Sequence, residues 1–570
     1  MGVLGLQLAT TLVAASVLSK VISFYSFTRL LVAGLLRYAV PTDEQLLEAS
    51  GNCKIKTKGK KKRIDSSSVN SNGTNCNYDT FYFPRVTTIH LKQSHVSSAD
   101  IALLPLYSSH QWLVDFTVCA VCVYLINELA YNCAIPWYEG YGRNRTTPTN
   151  TTVKQSPSPV SLSLRINLSL VWITLSLWFT IRTLISLTAI YFRSQNSNTR
   201  IESRPSKPTT NGISTNITSG ECILILAAAF FFLIAATLFL SLDGTFVDFG
   251  LQAAYGNMTF GEVSSSSSPI ISWGSFHFIL AIIASIIGAL FVYPGLKFGK
   301  IYLDAVKQLS TPVMKRFILH LNFICPIIPI LLWLTSITDH ISRSLIMLTH
   351  SNSISEHPFL LMIVNILSSL FLKHLDSIRI LTCLAVILLR FSTTRWILQA
   401  YLNSAQDNLD KFSREPGQTS NKEVQRLVAS IFYCLNLVSL QYITPCFLSL
   451  CLLCLYKNLS GLSWLPFQYF QPSLSSNSTT LPVAVVSNAQ NLTNLSSSVL
   501  FSSISQSNLT SWPSMLIQAR YTINQIMDSY ILRGMTISHG IFGFLLWWTL
   551  LSWQSMSLLG LAYHRFASND

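Results

Sequence analysis

Six ionisable side chains lie within stretches that are otherwise apolar: Asp115 and Glu128 in one, Arg182 in the next, and Asp376, Arg379 and Arg390 in a third. A charge inside hydrocarbon costs several kcal/mol unless it is paired or hydrated. Two chemistries fit such residues. Opposite charges on neighbouring helices can lock a bundle together, or hydrated groups can relay an ion or a proton. Matching depth along the chain sets Asp115 against Arg182, with Arg390 as the second choice of partner. Glu128, Asp376 and Arg379 fall in the opposite half.

Prolines mark the second set of candidates. Pro294 and Gly295 are expected to end or kink one apolar stretch, Cys325-Pro326-Ile-Ile-Pro329 to interrupt the next, and Pro445 to kink a later one. Proline removes an amide donor and frees a carbonyl one turn earlier, which coordinates a cation where water can reach it. Prolines also serve as plain kinks in membrane helices. His320 and Asn322, just before the Cys325-Pro326 break, would line such a site. Cys119/Cys122 and Cys451/Cys454 have C-x-x-C spacing but sit in apolar runs. Redox and zinc chemistry need accessible thiolates, so these read as small apolar packing groups. No zinc-protease, dinucleotide, P-loop or nucleophile-elbow motif occurs, since Gly59-Lys60 lacks the upstream glycine, with Lys54 in its place. The expectation is a chain that is not an enzyme and holds no cofactor or metal.

The elements that position these residues follow from composition. Of 570 residues, 50% are hydrophobic and only 11% charged, against roughly a quarter charged in soluble domains. Too few charges remain to wet a soluble surface. The apolar content excludes disorder, and 12 cysteines spread over the chain exclude a disulfide scaffold. The class that remains is an all-α polytopic membrane bundle, because only helices satisfy their own backbone inside lipid. Nine stretches qualify: 2–19, 112–134, 168–192, 222–240, 276–293, 317–337, 375–398, 428–456 and 535–563. The run Ala281, Ala284, Ser285, Gly288 and Ala289 reads as a helix-packing face.

The net charge of +15 would suggest nucleic acid in a soluble protein. Here it reports orientation. With the N-terminus outside and the C-terminus cytosolic, the inner segments carry 25 Lys and Arg and the outer ones 9, as the positive-inside rule requires. Nucleic acid is therefore set aside, and the basic block Lys54–Arg63 is expected to meet anionic lipid. Eight of 11 Asn-x-Ser/Thr sequons fall outside: Asn144, Asn150, Asn257, Asn458, Asn477, Asn491, Asn494 and Asn508. Asn72 and Asn216 fall inside, and Asn167 at a boundary. The first stretch lacks an upstream positive charge, and Lys20, Arg29 and Arg37 come after it. That order favours a retained signal-anchor over a cleaved signal peptide, which would leave eight spans.

The domain organisation follows: signal-anchor 1–36, basic cytosolic loop 37–110, membrane bundle 111–456, Ser/Asn-rich glycosylated outer loop 457–513, amphipathic interfacial helix 514–534, and the last span with a short tail, 535–570. Residues 64–77 and 471–511 have the composition of disordered loops. Residues 359–372 are too short to cross and read as an interfacial or re-entrant piece. No internal repeat supports an inverted-repeat transporter.

Several blocks in order resemble the transmembrane protein 161 family. They are Met1-Gly-Val-Leu-Gly-Leu-Gln-Leu8, Gln111-Trp-Leu-Val-Asp-Phe-Thr-Val118, Asn167-Leu-Ser-Leu-Val-Trp172 and Asp248-Phe-Gly-Leu251. Tyr293-Pro-Gly-Leu296 with Leu303-Asp-Ala305, Leu319-His-Leu-Asn-Phe323 and Leu398-Gln-Ala-Tyr-Leu-Asn403 continue the match. Leu440-Gln-Tyr442, Arg533-Gly534 and Trp547-Trp548 complete it. The Ser/Asn-rich insertions near 64–77, 141–160 and 471–511 depart from the family pattern. The resemblance implies a multi-pass eukaryotic protein that regulates cation currents and excitability, with a link to oxidative-stress tolerance. Ion channels or other membrane proteins would be its partners and the plasma membrane its favoured site, ahead of the endoplasmic reticulum. It brings no established site residues. The alternative function is a transporter or channel with a polar path around the proline-broken helices.

Overall fold

A computed structural model describes residues 2–49, 82–84, 89–143, 167–201, 220–259, 272–308, 312–349, 374–415, 417–462, 464 and 512–566, with isolated positions between 362 and 371. The described residues are mostly helical. Eight helices or helix pairs are long and apolar enough to cross a bilayer, beginning near residues 7, 107, 170, 223, 273, 313, 421 and 536. The stretch 375–398, the remaining one of the nine expected, is also helical, but it forms the first part of a 40-residue helix bearing Arg379 and Arg390.

Helix α1 (Gly2–Phe24) packs on the long α5 (Tyr107–Arg143). Gln7 and Thr11 are buried there, and the Thr10 hydroxyl donates to Asn127 Oδ1 at 3.0 Å. The short α2 (Phe27–Val32) follows, then β1 (Leu36–Tyr38), α3 (Asp43–Ala49), β2 (Tyr82–Pro84), β3 (Gln93–His95) and α4 (Ser98–Ala102). Helix α6 (Leu170–Ile201) runs back along α5. The Ser176 hydroxyl donates to Thr117 Oγ1 at 2.9 Å, and Trp112, Phe116 and Phe179 stack beside that contact.

Small residues set the closest approaches. Between α7 (Gly220–Ser241) and α9 (Trp273–Leu290), a Cβ on Gly288 would lie 2.6 Å from the Phe232 ring, and the Ser285 hydroxyl donates to the Ala229 carbonyl. Ala281, Ala284, Ser285 and Gly288 are all buried, as a packing face requires. The short α8 (Leu251–Thr259) precedes α9, and α10 (Val292–Lys307) follows it after a break at Phe291. Pro294 is therefore the third residue of a new helix, where the backbone N–H it lacks has no intrahelical acceptor to lose. The expected end or kink at Pro294-Gly295 takes the form of a break at Phe291, within a turn of the proline, after which the chain stays helical to Lys307. Gly295 and Gly299 face the last helix, α17 (Trp512–Phe566). A Cβ on Gly299 would meet the Ser557 carbonyl oxygen at 2.6 Å, and one on Gly560 the Leu296 carbonyl oxygen at 2.7 Å.

The Cys325-Pro326 break is as expected, separating α11 (Val313–Ile324) from α12 (Ile327–Leu332), which contains Pro329. Helix α13 (Thr335–Thr349) leads towards α14 (Leu375–Arg414). Strand β4 (Gln418–Ser420) and α15 (Asn421–Tyr433) precede α16 (Leu435–Leu459), which is buried around nearly its whole circumference. Pro445 sits inside α16 without ending it. Residues 514–534 are helical, as expected, and run without a break into the last apolar stretch as one helix of 55 residues.

At the end of the bundle opposite Asp376, α14 continues past the apolar region into a small module. Strands β1 and β3, and β2 and β4, pair antiparallel. Gln399 mimics a strand: its Oε1 accepts from Leu36 N and its Nε2 donates to Leu36 O, both at 2.9 Å. Two helical turns on, Gln406 treats the backbone of Ile89 and Leu91 in the same way. Leu46, Leu409 and Val424 form the core of this module.

Candidate functional site: the polar core around helix α14

Arg379 and Arg390 are 11 residues apart on α14, about three helical turns, so both point to one side of the helix. Both are almost fully buried, at 2% and 1% exposed. Their surroundings differ.

Arg379 is fully engaged. Its Nη1 lies 2.9 Å from Asp376 Oδ1, its Nη2 3.2 Å from Asp248 Oδ2, and its Nε donates to the Leu332 carbonyl at 3.0 Å. Trp333 lies beneath the guanidinium, 5.4 Å from its ring centre. His539 Nε2 stands 3.9 Å from the other Asp376 oxygen and 3.2 Å from the Tyr456 hydroxyl. Asp248 is placed by a tight turn: Asp243 accepts from the backbone N–H of Phe249 and Leu251, and Asp248 N donates to the Trp333 carbonyl. The cluster ties together the α7–α8 turn, α12, α14, α16 and α17. Asp376 and Arg379, which the sequence places in the same half, are brought together as a pair. Asp248, Tyr456 and His539 were missed as partners, although Asp248 stood in a quoted family block.

A second pair sits at the same end. Glu128 contacts Lys457, with side chains 14% and 8% exposed, and Asn167 Nδ2 reaches the other Glu128 oxygen at 3.4 Å. Lys457 had counted only as a loop charge. Asn167 is 4% exposed and accepts from Ser169 N, so its sequon serves the interior. Asn458 is likewise 6% exposed. A glycan there would not fit the folded chain, which corrects the expectation for that sequon. Asn257 lies within α8. Asn144, Asn150, Asn477, Asn491, Asn494 and Asn508, and the basic block Lys54–Arg63, lie outside the described residues.

Asp115 does not pair with Arg182 or Arg390. Its carboxylate accepts from Ser26 Oγ and from Phe27 N, both at 2.9 Å, and so caps α2. The Ser176–Thr117 contact between antiparallel helices carries Arg182 six residues further, beside Gln111. Arg182 is exposed there, with no ion pair to a described residue. A long side chain on a lipid-facing surface reaches an interface by snorkelling.

Among the described residues, Arg390 has no carboxylate against it, and only its Nη2 has a protein acceptor, Gln554 Oε1 at 3.3 Å. The Trp553 ring centre is 3.5 Å from the guanidinium carbon and that of Phe298 is 5.2 Å. Gln554 Nε2 in turn donates to the Phe323 carbonyl at 2.9 Å, a group released by the helix break at Cys325-Pro326. Asn322 is buried beside this break with its Oδ1 unpartnered, whereas half-buried His320 meets the Tyr302 hydroxyl at 2.7 Å. Asn322 and Arg390 thus share one neighbourhood, and His320 is turned away to another.

The profile of a family described as predicted transmembrane protein 161AB matches residues 2–139, 158–202 and 212–568. The chain belongs to the transmembrane protein 161 family. All members of the two arginine clusters fall in the matched segments of this transmembrane protein 161 chain. No solved structure matches it.

Proposed function

We propose that this transmembrane protein 161 chain is a non-enzymatic regulator of cation currents carried by other membrane proteins, with an associated role in oxidative-stress tolerance. In this reading it crosses the membrane nine times, α14 included, with its N-terminus outside and its C-terminus cytosolic. The family resemblance supports this class of function. The observation that carries the mechanism is Arg379, whose every nitrogen is engaged by Asp376, Asp248 or the Leu332 carbonyl. A cluster that engages each guanidinium nitrogen binds helices together, which supports a structural lock over a relay for a moving ion. The excess of basic residues in the inner segments and the packing of α1 on α5 support the orientation and a retained first helix. Glycans on Asn477, Asn491, Asn494 and Asn508, and anionic lipid at Lys54–Arg63, complete the proposal.

Purified protein in liposomes tests it. Regulation predicts no intrinsic cation flux, together with a channel that co-purifies from native membranes. Flux from the pure protein would overturn it. That result would favour the second reading, a transporter or channel, for which the polar environment of Arg390 and Asn322 at the broken helix speaks.

A further inference from the structure

Arg390 and Arg379 face the same side of one helix, yet only one of them is neutralised. Arg379 has two carboxylates. Arg390 is more deeply buried and has one neutral acceptor, the Gln554 amide. Guanidinium keeps its proton even when buried, so the charge itself must be met. Stacking on Trp553 and Phe298 offsets part of the cost of burying this charge. It does not supply the counter-charge that a buried, unmatched cation lacks.

The unmet hydrogen-bonding groups have a definite sign. Arg390 Nε, Arg390 Nη1 and Trp553 Nε1 are sealed N–H donors without acceptors, and Asn322 Oδ1 is the one unpartnered acceptor near them. Water alone would serve the donors but leave the charge. We propose that the chain binds a small monovalent anion, of halide class, against Arg390 inside the bundle. The anion accepts from the free edge of the guanidinium and from the Trp553 indole, and a water beside it donates to Asn322. Aromatic walls from Phe298, Tyr442 and Trp553 favour a monatomic ion over a phosphate or carboxylate. A single charge matches the single arginine. The site does not depend on whether the protein regulates or carries currents, because occupancy is a property of the resting fold.

The test measures thermal unfolding of the detergent-purified full chain in sodium chloride or bromide against sodium gluconate at constant ionic strength. A halide that binds only the folded state raises the midpoint by roughly 2 °C per tenfold concentration above its Kd. Arg390→Gln should abolish that dependence. Trp553→Phe keeps the ring and removes the N–H, and should weaken halide affinity several-fold. It decides the matter if Arg390→Gln does not fold. Anomalous scattering from bromide-soaked crystals should place a peak beside Arg390. Identical midpoints in chloride and gluconate would overturn the site. So would a halide dependence that survives unchanged in Trp553→Phe and Arg390→Gln.

Discussion

Replacing Arg379 by leucine removes three hydrogen-bonded contacts and leaves two carboxylates facing each other without a cation. Breaking a fully buried ion pair from one side costs about 3–5 kcal/mol. Here the discount is large, since Asp376 and Asp248 side chains are 39% and 56% exposed and water screens them once freed. That leaves about 2 kcal/mol for the pairs, plus about 1 kcal/mol for the Leu332 carbonyl. Arg379→Leu should therefore destabilise by roughly 3 kcal/mol, and Asp376→Leu by about 1–2 kcal/mol, because Arg379 retains Asp248. The double variant should cost less than the sum, by about 1 kcal/mol of coupling. Unfolding free energies from denaturing-detergent titration in mixed micelles, at one salt concentration, give all three values. Strict additivity would refute the idea that these groups act as one cluster, as would an Arg379→Leu loss below about 1 kcal/mol.

Gly560→Val would drive a branched side chain into the Leu296 backbone, already 2.7 Å from a Cβ there, and should prevent α10 and α17 from docking; loss of the monodisperse gel-filtration peak reports it, whereas Gly534→Val, which meets nothing within 4 Å, should elute normally. Asp100 lies outside the bundle, and its carboxyl is held below the usual value, first by the Ser97 hydroxyl and then by the Ser97 amide. A depressed folded-state value means that its stabilisation of α4 is present above about pH 4, the unfolded value, and is lost as pH falls through the lower folded value. Protection factors of the α4 amides, taken relative to intrinsic exchange, should accordingly fall in acid, and Asp100→Asn should flatten that dependence. An epitope at residue 60 should need permeabilisation for antibody access and one at residue 490 should not, while deleting 471–511 should remove most glycosidase-sensitive mass; the opposite access pattern would invert the bundle.

The helices were legible because apolar runs of about 20 residues have one stable form in lipid. The small-residue face of α9 was legible for a similar reason: periodicity alone shows it. Pairing was less so. Arg379 and Asp376 are three residues apart on one helix, a spacing that permits their pairing, although the sequence alone places them only in the same half. Asp248, Tyr456 and His539 arrive from separate elements. The proposed Asp115–Arg182 pair failed because depth fixes only one coordinate of a helix. Rotation about the axis, set by the Ser176–Thr117 contact, turns Arg182 outward. The break before α10 lies at Phe291, within a turn of Pro294, because the missing proline N–H leaves the Leu290 carbonyl without its helical donor. Gln399 and Gln406 gave no signal, as amide side chains that grip backbone resemble any polar helix surface.

Helix α14 has 40 residues, hence a length of about 60 Å, twice the hydrocarbon core. It is fastened at one end by the charges around Arg379 and at the other by the two glutamines that hold the backbone of Leu36 and of Ile89 and Leu91. A rod clamped at both ends transmits torque: anything that pulls on Asp376 or Asp248 from outside turns the same shaft that carries Gln399 and Gln406. The two ends of the bundle are thereby mechanically coupled through a single, unbroken helix.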